Sequence, residues 1–336
     1  MLDYEEFTGA VENAIQDFLP TALKERGIEF TSVTANNGQK RDIVAPERIN
    51  GDSVPVIYMD DVYDYYKSSD SSIETVCKIV VDRMEEGLAK RPGLSEVEEQ
   101  MVPEALFAEL INLESNRDYL NEVPHLVYGD LAVICKFSIS APDAGNGSVT
   151  VNNGVMNRLG YNEETLFNTA FENMAGNYPF YAQCMEDAIG LQLEGEIGYP
   201  KVRMDDLSVL PEDGQILVIS NRNNFYGDGV LLMKDDLEKL ADWFDSSVIL
   251  LPSSVHEILA VKEESEDMAR SCLEMVKNVN RTAVSPNERL SDNVYRFNRD
   301  TKELELYTQE GEVRDMRLEK PDEIPETEKK KTAVER

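Results

Sequence analysis

Apolar residues in this chain recur first at helical spacing and then at a spacing of two. Phe7, Val11, Ala14, Ile15 and Phe18 fall on one face of an amphipathic helix over residues 2–19, which Pro20 stops. The period then changes. Residues 28–34 and 40–45 read as strands flanking Asn36-Asn37-Gly38, and Asn-Gly favours the positive φ angles of a tight hairpin turn. A third strand, over 54–59, follows Asn50-Gly51-Asp52. Helical spacing resumes over 60–67 and again over 71–89, where Ile73, Val76, Cys77, Val80 and Met84 share a face. Arg91-Pro92-Gly93 is the first clear break.

Beyond the break, residues 105–113 fit a helical and a strand template equally. A strand is expected over 131–139, with a partner at 148–151 across the loop 142–147. Asn162 offers a side-chain oxygen to cap a helix that has Glu163 and Glu164 in its first turn. Residues 215–220 and 230–233 read as strands around a polar loop, and Asp235 with Glu238 resembles a capping box opening a helix to Phe244. Two short buried strands, 248–251 and 258–261, precede a helix over 266–279. Ser285-Pro286-Asn287-Glu288 offers a second cap, with proline at its preferred first position. Residues 293–297 and 303–307 form a closing hairpin.

These elements predict an α+β fold rather than a doubly wound parallel sheet. A small antiparallel sheet with helices occupies 1–92, a mixed α+β domain occupies 93–307, and a disordered tail occupies 308–336. Apolar content collapses from Thr308, where seven basic and nine acidic residues follow, and a segment without apolar surface cannot offset its ordering entropy.

Composition changes this picture in one respect, which is charge. Thirty-three Lys and Arg stand against 65 Asp and Glu, a formal net charge of −32. Such a field repels phosphate, and nucleic-acid binding depends on cations that displace counterions. Direct nucleic-acid and membrane binding are therefore not expected. Solubility, or a protein partner with a basic surface, is the reading left. Cys77, Cys135, Cys184 and Cys272 lie far apart, with no zinc spacing, so reduced buried thiols are expected. The start Met1–Glu6 is acidic where a signal peptide would be basic and then apolar. No apolar run approaches the ~20 residues of a membrane helix, and a cytoplasmic location is expected. Oligomeric state stays open.

Few strings in the chain carry reactive side chains. Pro252-Ser253-Ser254-Val255-His256-Glu257 brings hydroxyl, imidazole and carboxylate together, so Ser253, Ser254, His256 and Glu257 are the candidate catalytic residues. A triad is a spatial arrangement, however, and adjacent residues on an extended chain point to opposite faces. The alternative is turn chemistry, with a serine capping the turn and His256 bonded to a neighbouring loop. His125, the other histidine, precedes a strand, where an imidazole commonly satisfies a backbone group or faces solvent. Tyr58-Met59-Asp60-Asp61 has the paired aspartates of reverse transcriptases, yet a helix capped by Asp60 explains both acids. Residues 221–229 suggest a calcium loop, but Phe225 and Tyr226 stand where an EF-hand needs oxygen ligand and glycine, so a hairpin connection is preferred. No metal site or cofactor motif is expected.

The segments Met1–Phe7, Asn36-Asn37-Gly38, Ile57–Asp61, Leu131–Ile134, Leu251–Glu257 and Leu290–Arg296 resemble an uncharacterised domain-of-unknown-function family of gut Firmicutes. More distantly, they are similar to the bacterial YtpQ-like family. The resemblance spans nearly all of the chain before the tail and implies accessory cargo of mobile or integrated elements. It brings no catalytic residues. Two functions compete: a non-enzymatic accessory or protein-interaction protein, and a hydrolase of unfamiliar type using His256, Glu257 and a nearby serine.

Overall fold

A computed structural model describes residues 1–49, 54–90, 94–141, 145–190, 199–211, 216–221 and 226–321. The turn at 50–52, the break at 91–93 and the loop at 142–144 lie outside the described residues. The fold is α+β, and every described strand pairing is antiparallel. Packing divides the chain into two compact units, one of Met1–Ala105 with Ser138–Val149, the other of Leu106–Phe137 with the chain from Thr150 onward.

In the first unit, helix Tyr4–Ala14 opens on a capping box: Asp3 accepts from the Glu6 N–H and the Glu6 side chain accepts from Asp3 N–H. Its apolar face sends Phe7 and Val11 into a core with Val76, Cys77, Val80 and Met84 of helix Ile73–Lys90. Strands Ile28–Thr34 and Lys40–Pro46 pair from Ile28 opposite Pro46 to Thr34 opposite Lys40. Asn37 and Gly38 take φ of 60° and 63° in the turn between them, as Asn-Gly requires. The third strand is shorter than expected, only Ile57–Tyr58, because helix Met59–Ser69 begins at once and buries Met59 and Val62 three residues apart.

The second unit is built on two sheets. The larger has eight strands, in the order Val313–Asp315, Glu303–Tyr307, Val294–Asn298, Val248–Ser254, Glu257–Lys262, Leu217–Asn221, Phe180–Cys184 and Val202–Arg203. The smaller runs Leu318–Glu319, His125–Tyr128, Leu131–Ala141 and Leu106–Asn112; the end of Leu131–Ala141 beyond Phe137 and its partner strand Gly145–Thr150 up to Val149 are counted with the first unit. The ambiguous stretch is thus the strand Leu106–Asn112, buried at six successive positions. A strand covered on both faces loses its alternation, so its period cannot separate it from a helix. Helix Glu163–Asn177, capped by Asn162 through the Thr165 N–H, packs on it, and the Asn173 amide donates to Leu106 O at 2.9 Å.

The structure corrects several expectations. Residues 230–233 form no strand but end a 3₁₀ turn, Gly227–Leu232, drawn inward by backbone and carboxylate bonds described below. Helix Lys234–Phe244 receives no cap bond from Asp235, which instead sits with Asp236 in its first turn, where negative charge suits the dipole. Asp60 likewise lies inside its helix, with Tyr58 at the cap position. Residues 285–288 make a turn closed by Glu288 N–H to Ser285 O at 2.8 Å, not a helix start. Finally, order continues past Tyr307. Val313–Asp315 adds to the eight-stranded sheet, Leu318–Glu319 pairs with His125–Tyr128, and Met316 is buried between them. Main-chain pairing at a sheet edge needs no apolar period, so composition gave no sign of it. Residues 322–336 lie outside the described residues.

Candidate functional site

Val248–Ser254 and Glu257–Lys262 form a hairpin whose turn is Val255-His256, with an irregular register between Pro252 and Ser254. The turn is held by its main chain. His256 N–H donates to Ser254 Oγ at 3.1 Å, and His256 O accepts from Ser220 Oγ at 2.6 Å and from Gly227 N–H at 3.0 Å. Val255 N–H donates to Glu288 O at 3.0 Å. The hydroxyls of Ser220 and Ser254 therefore serve the backbone of His256. The imidazole is one-third exposed, with Nε2 4.0 Å from Glu288 Oε1, so it approaches a carboxylate 32 positions away that the local string does not contain. The Ser253 side chain lies outside the described residues.

The turn leads inward to a cluster that single-residue motifs do not reveal. The Tyr226 ring lies 6.1 Å from that of His256, and Lys136 Nζ lies 4.7 Å above the Tyr226 ring and 3.4 Å from its hydroxyl. Lys136 also reaches Glu109 Oε2 at 2.5 Å. Glu109 and Lys136 come from facing strands, Leu106–Asn112 and Leu131–Ala141. Asp228, from the 3₁₀ turn, is wholly buried, and its Oδ2 accepts the Leu110 N–H at 3.0 Å.

Burial sets the electrostatics. It pushes Glu109 above the usual carboxylate range, and the Lys136 charge and hydrogen bond draw it back only partly. Burial also works against the Lys136 ammonium, but Glu109 and then Tyr226 more than offset it, so that lysine holds its proton more tightly than usual. Asp228 goes furthest, well above its ordinary value, through burial first and the neighbouring Glu109 second, with the Leu110 and Gly229 amides drawing it back only partly.

The backbone here is tightly constrained. Tyr226 takes φ of 57°, a left-handed conformation uncommon for an aromatic residue. At Gly227 a Cβ would come within 2.3 Å of His256 O and 2.7 Å of Ser220 Cα, so only glycine fits. Residues 222–225 of the calcium-like string lie outside the described residues, and its Gly227-Asp228-Gly229 portion is a buried turn, not a hairpin connection.

Other candidates resolve into structure. Arg41 donates to both Asp60 oxygens at 2.8 Å and to Asp61 at 2.7 Å, with its guanidinium 3.7 Å over the Tyr58 ring. This ion cluster explains the paired aspartates, replacing the expected cap. His125 Nδ1 lies 2.9 Å from Val123 O. Asp130 gathers Ser291 Oγ at 2.5 Å, Asn293 Nδ2 at 2.8 Å and the Tyr295 hydroxyl at 3.0 Å, tying the loop before the last hairpin to the strand pair His125–Tyr128 and Leu131–Ala141. Among the described residues, no group of three or more His, Cys, Asp or Glu is placed to hold a metal ion, and no helix is long and apolar enough to cross a membrane.

Sequence reasoning missed Glu109, Lys136 and Asp228. The signal available was a lone charge inside each of two apolar runs, Leu106–Ile111 and Leu131–Ile139. A single charge among buried neighbours demands a partner, but the partner's identity is tertiary. What fold and cluster define is an α+β protein with a buried acid–lysine cluster beneath a surface hairpin turn. The chain belongs to DUF5688, a family of unknown function, whose pattern matches residues 4–299. Neither the curated proteins nor the solved structures contain a match to it.

Proposed function

We propose that the protein is a non-enzymatic accessory protein that engages a protein partner bearing a basic surface. The observation that carries this reading is the charge of −32. A field of one sign steers a complementary surface and discriminates against others. The use of the Ser220 and Ser254 hydroxyls on the His256 main chain supports a structural role for the turn. We further infer cytoplasmic work in a Firmicutes bacterium, as cargo of a mobile element. The residues that resemble such families support this, as do four cysteines free of disulfides.

The test is capture by the full-length protein in its native host, followed by reconstitution with the purified partner. Affinity should fall several-fold between about 50 and about 300 mM salt, as screening requires. Salt-independent association would overturn the charge-based reading. DNA and RNA should show no salt-dependent gel shift.

The second reading is a hydrolase using His256, Glu257 and a nearby serine, with His256 beside Glu288 as the favouring observation. Ester, amide or phosphate hydrolysis that disappears in His256→Ala would replace the first reading with this one.

A further inference from the structure

The turn Gly227–Leu232 carries a carboxyl group that nothing neutralises. Asp228 is 0 % exposed; its Oδ2 accepts the Leu110 N–H, and its equally buried Oδ1 accepts no hydrogen bond. The cation facing it is Lys136, whose ammonium is committed to Glu109 at 2.5 Å and to the Tyr226 hydroxyl. Among the described residues, the other elements packed on the turn bring no second lysine or arginine to it. Strand Leu217–Asn221 brings Ser220, which donates to His256 O; the hairpin turn brings His256, whose Nε2 lies 4.0 Å from Glu288 Oε1; strand His125–Tyr128 brings Tyr128, whose hydroxyl donates to Leu231 O. Strand Glu257–Lys262 buries Ile258 and Ala260, and helix Lys234–Phe244 buries Leu237, Leu240 and Ala241. Two buried carboxyl groups thus share one ammonium, which touches only one of them. An ionised Asp228 would be a buried charge drawn down only partly by the Leu110 and Gly229 amides and sharing its one ammonium with Glu109, among the costliest arrangements a fold can hold.

We propose that Asp228 is the neutral carboxylic acid in the folded protein, so that folding of this unit takes up one proton and the turn supporting His256 loosens as pH rises. The linkage is direct in the chain. Gly227, next to Asp228, donates its N–H to His256 O, and Tyr226 before it holds a left-handed backbone that only packing sustains. Burial and Glu109 raise Asp228 well above its ordinary value, in the direction this geometry demands. With its proton held more tightly folded than unfolded, Asp228 contributes stability that is full below its unfolded value near about 4 and is lost as pH rises toward its folded value.

The experiment uses the full-length protein, its Asp228→Asn and Glu109→Gln variants, and urea unfolding from about pH 5 to about pH 8. Trp243 is the only tryptophan and lies in helix Lys234–Phe244, so its fluorescence follows this unit. The wild-type folding constant should fall relative to Asp228→Asn by up to about tenfold per pH unit, the effect of one proton. Parallel curves for these two proteins overturn the proposal. So does convergence on Glu109→Gln, which would place the proton on Glu109. In case Asp228→Asn fails to fold, the wild type is read directly. With carboxyl-labelled aspartate, infrared spectra of the folded protein at neutral pH should contain a protonated-acid band that the label shifts and that persists in Asp130→Asn, since burial raises Asp130 as well; a band unmoved by the label, a band lost in Asp130→Asn, or no band, overturns the assignment.

Discussion

Each unit sets two carboxylates around one cation, and the two arrangements behave oppositely. Arg41 bridges Asp60 and Asp61, whose side chains are 47 % and 64 % exposed. Lys136 holds Glu109 beside Asp228, and both acids are almost wholly buried. By residue inventory the clusters are nearly the same. Water separates them: it solvates both aspartates of the first, so their cation is a convenience, whereas in the second it is excluded and the lysine is the main compensation. Charged residues in a sequence therefore do not announce their importance by number or spacing, since a surface pair matching a polymerase signature is ordinary, and a lone glutamate in an apolar strand is not.

The sharpest test replaces each cation with an apolar residue of similar length. Lys136→Met should destabilise the second unit by about 3–5 kcal/mol, because it leaves Glu109 buried and unpaired. Arg41→Met should cost the first unit only about 1 kcal/mol, because the two aspartates it leaves behind stay in water. Trp243 fluorescence reads the former in urea, and amide hydrogen exchange across residues 57–69 reads the latter. Equal losses would break the comparison.

Smaller effects should follow outward from the buried cluster. Gly227→Ala should cost about 2–3 kcal/mol, since its Cβ would press on backbone atoms that cannot rotate away. Ser291→Ala removes one of three donors to Asp130, at about 1.5 kcal/mol; a lower thermal midpoint, with faster hydrogen exchange around residues 290–295, is the expected result. His256→Ala should matter least, about 0.5 kcal/mol, because the bonds that hold the hairpin turn come from its main chain. A loss above about 2 kcal/mol in unfolding would mean that the imidazole itself carries structure.

Much of the fold is legible in short stretches of sequence. The Asn-Gly hairpin, the helix capped by Asn162, the helix over 71–89 and the last hairpin all follow from local signals of turn chemistry, capping and period. Two of the errors share one cause. At 230–233 and 285–288 a short pattern satisfied a local rule while contacts distant in sequence supplied a better partner, whereas Asp235 simply lies one residue inside its helix. Glu288 O serves Val255, and Asp228 serves Leu110, 118 positions away. Of the candidate site, His256 was visible as a rare residue in a polar string, and its surroundings were not.

By itself, then, the chain determined its α+β character, its acidic field and most element positions, since these depend on residues within a turn or two of one another. Only tertiary structure decided which charges meet water. Strand pairing places Glu109 against Lys136, and the chain's return at Asp228 adds a second acid beside a lysine already committed to the first. Burial multiplies the strength of a charge interaction and the cost of leaving a charge unmatched, and burial belongs to no residue alone.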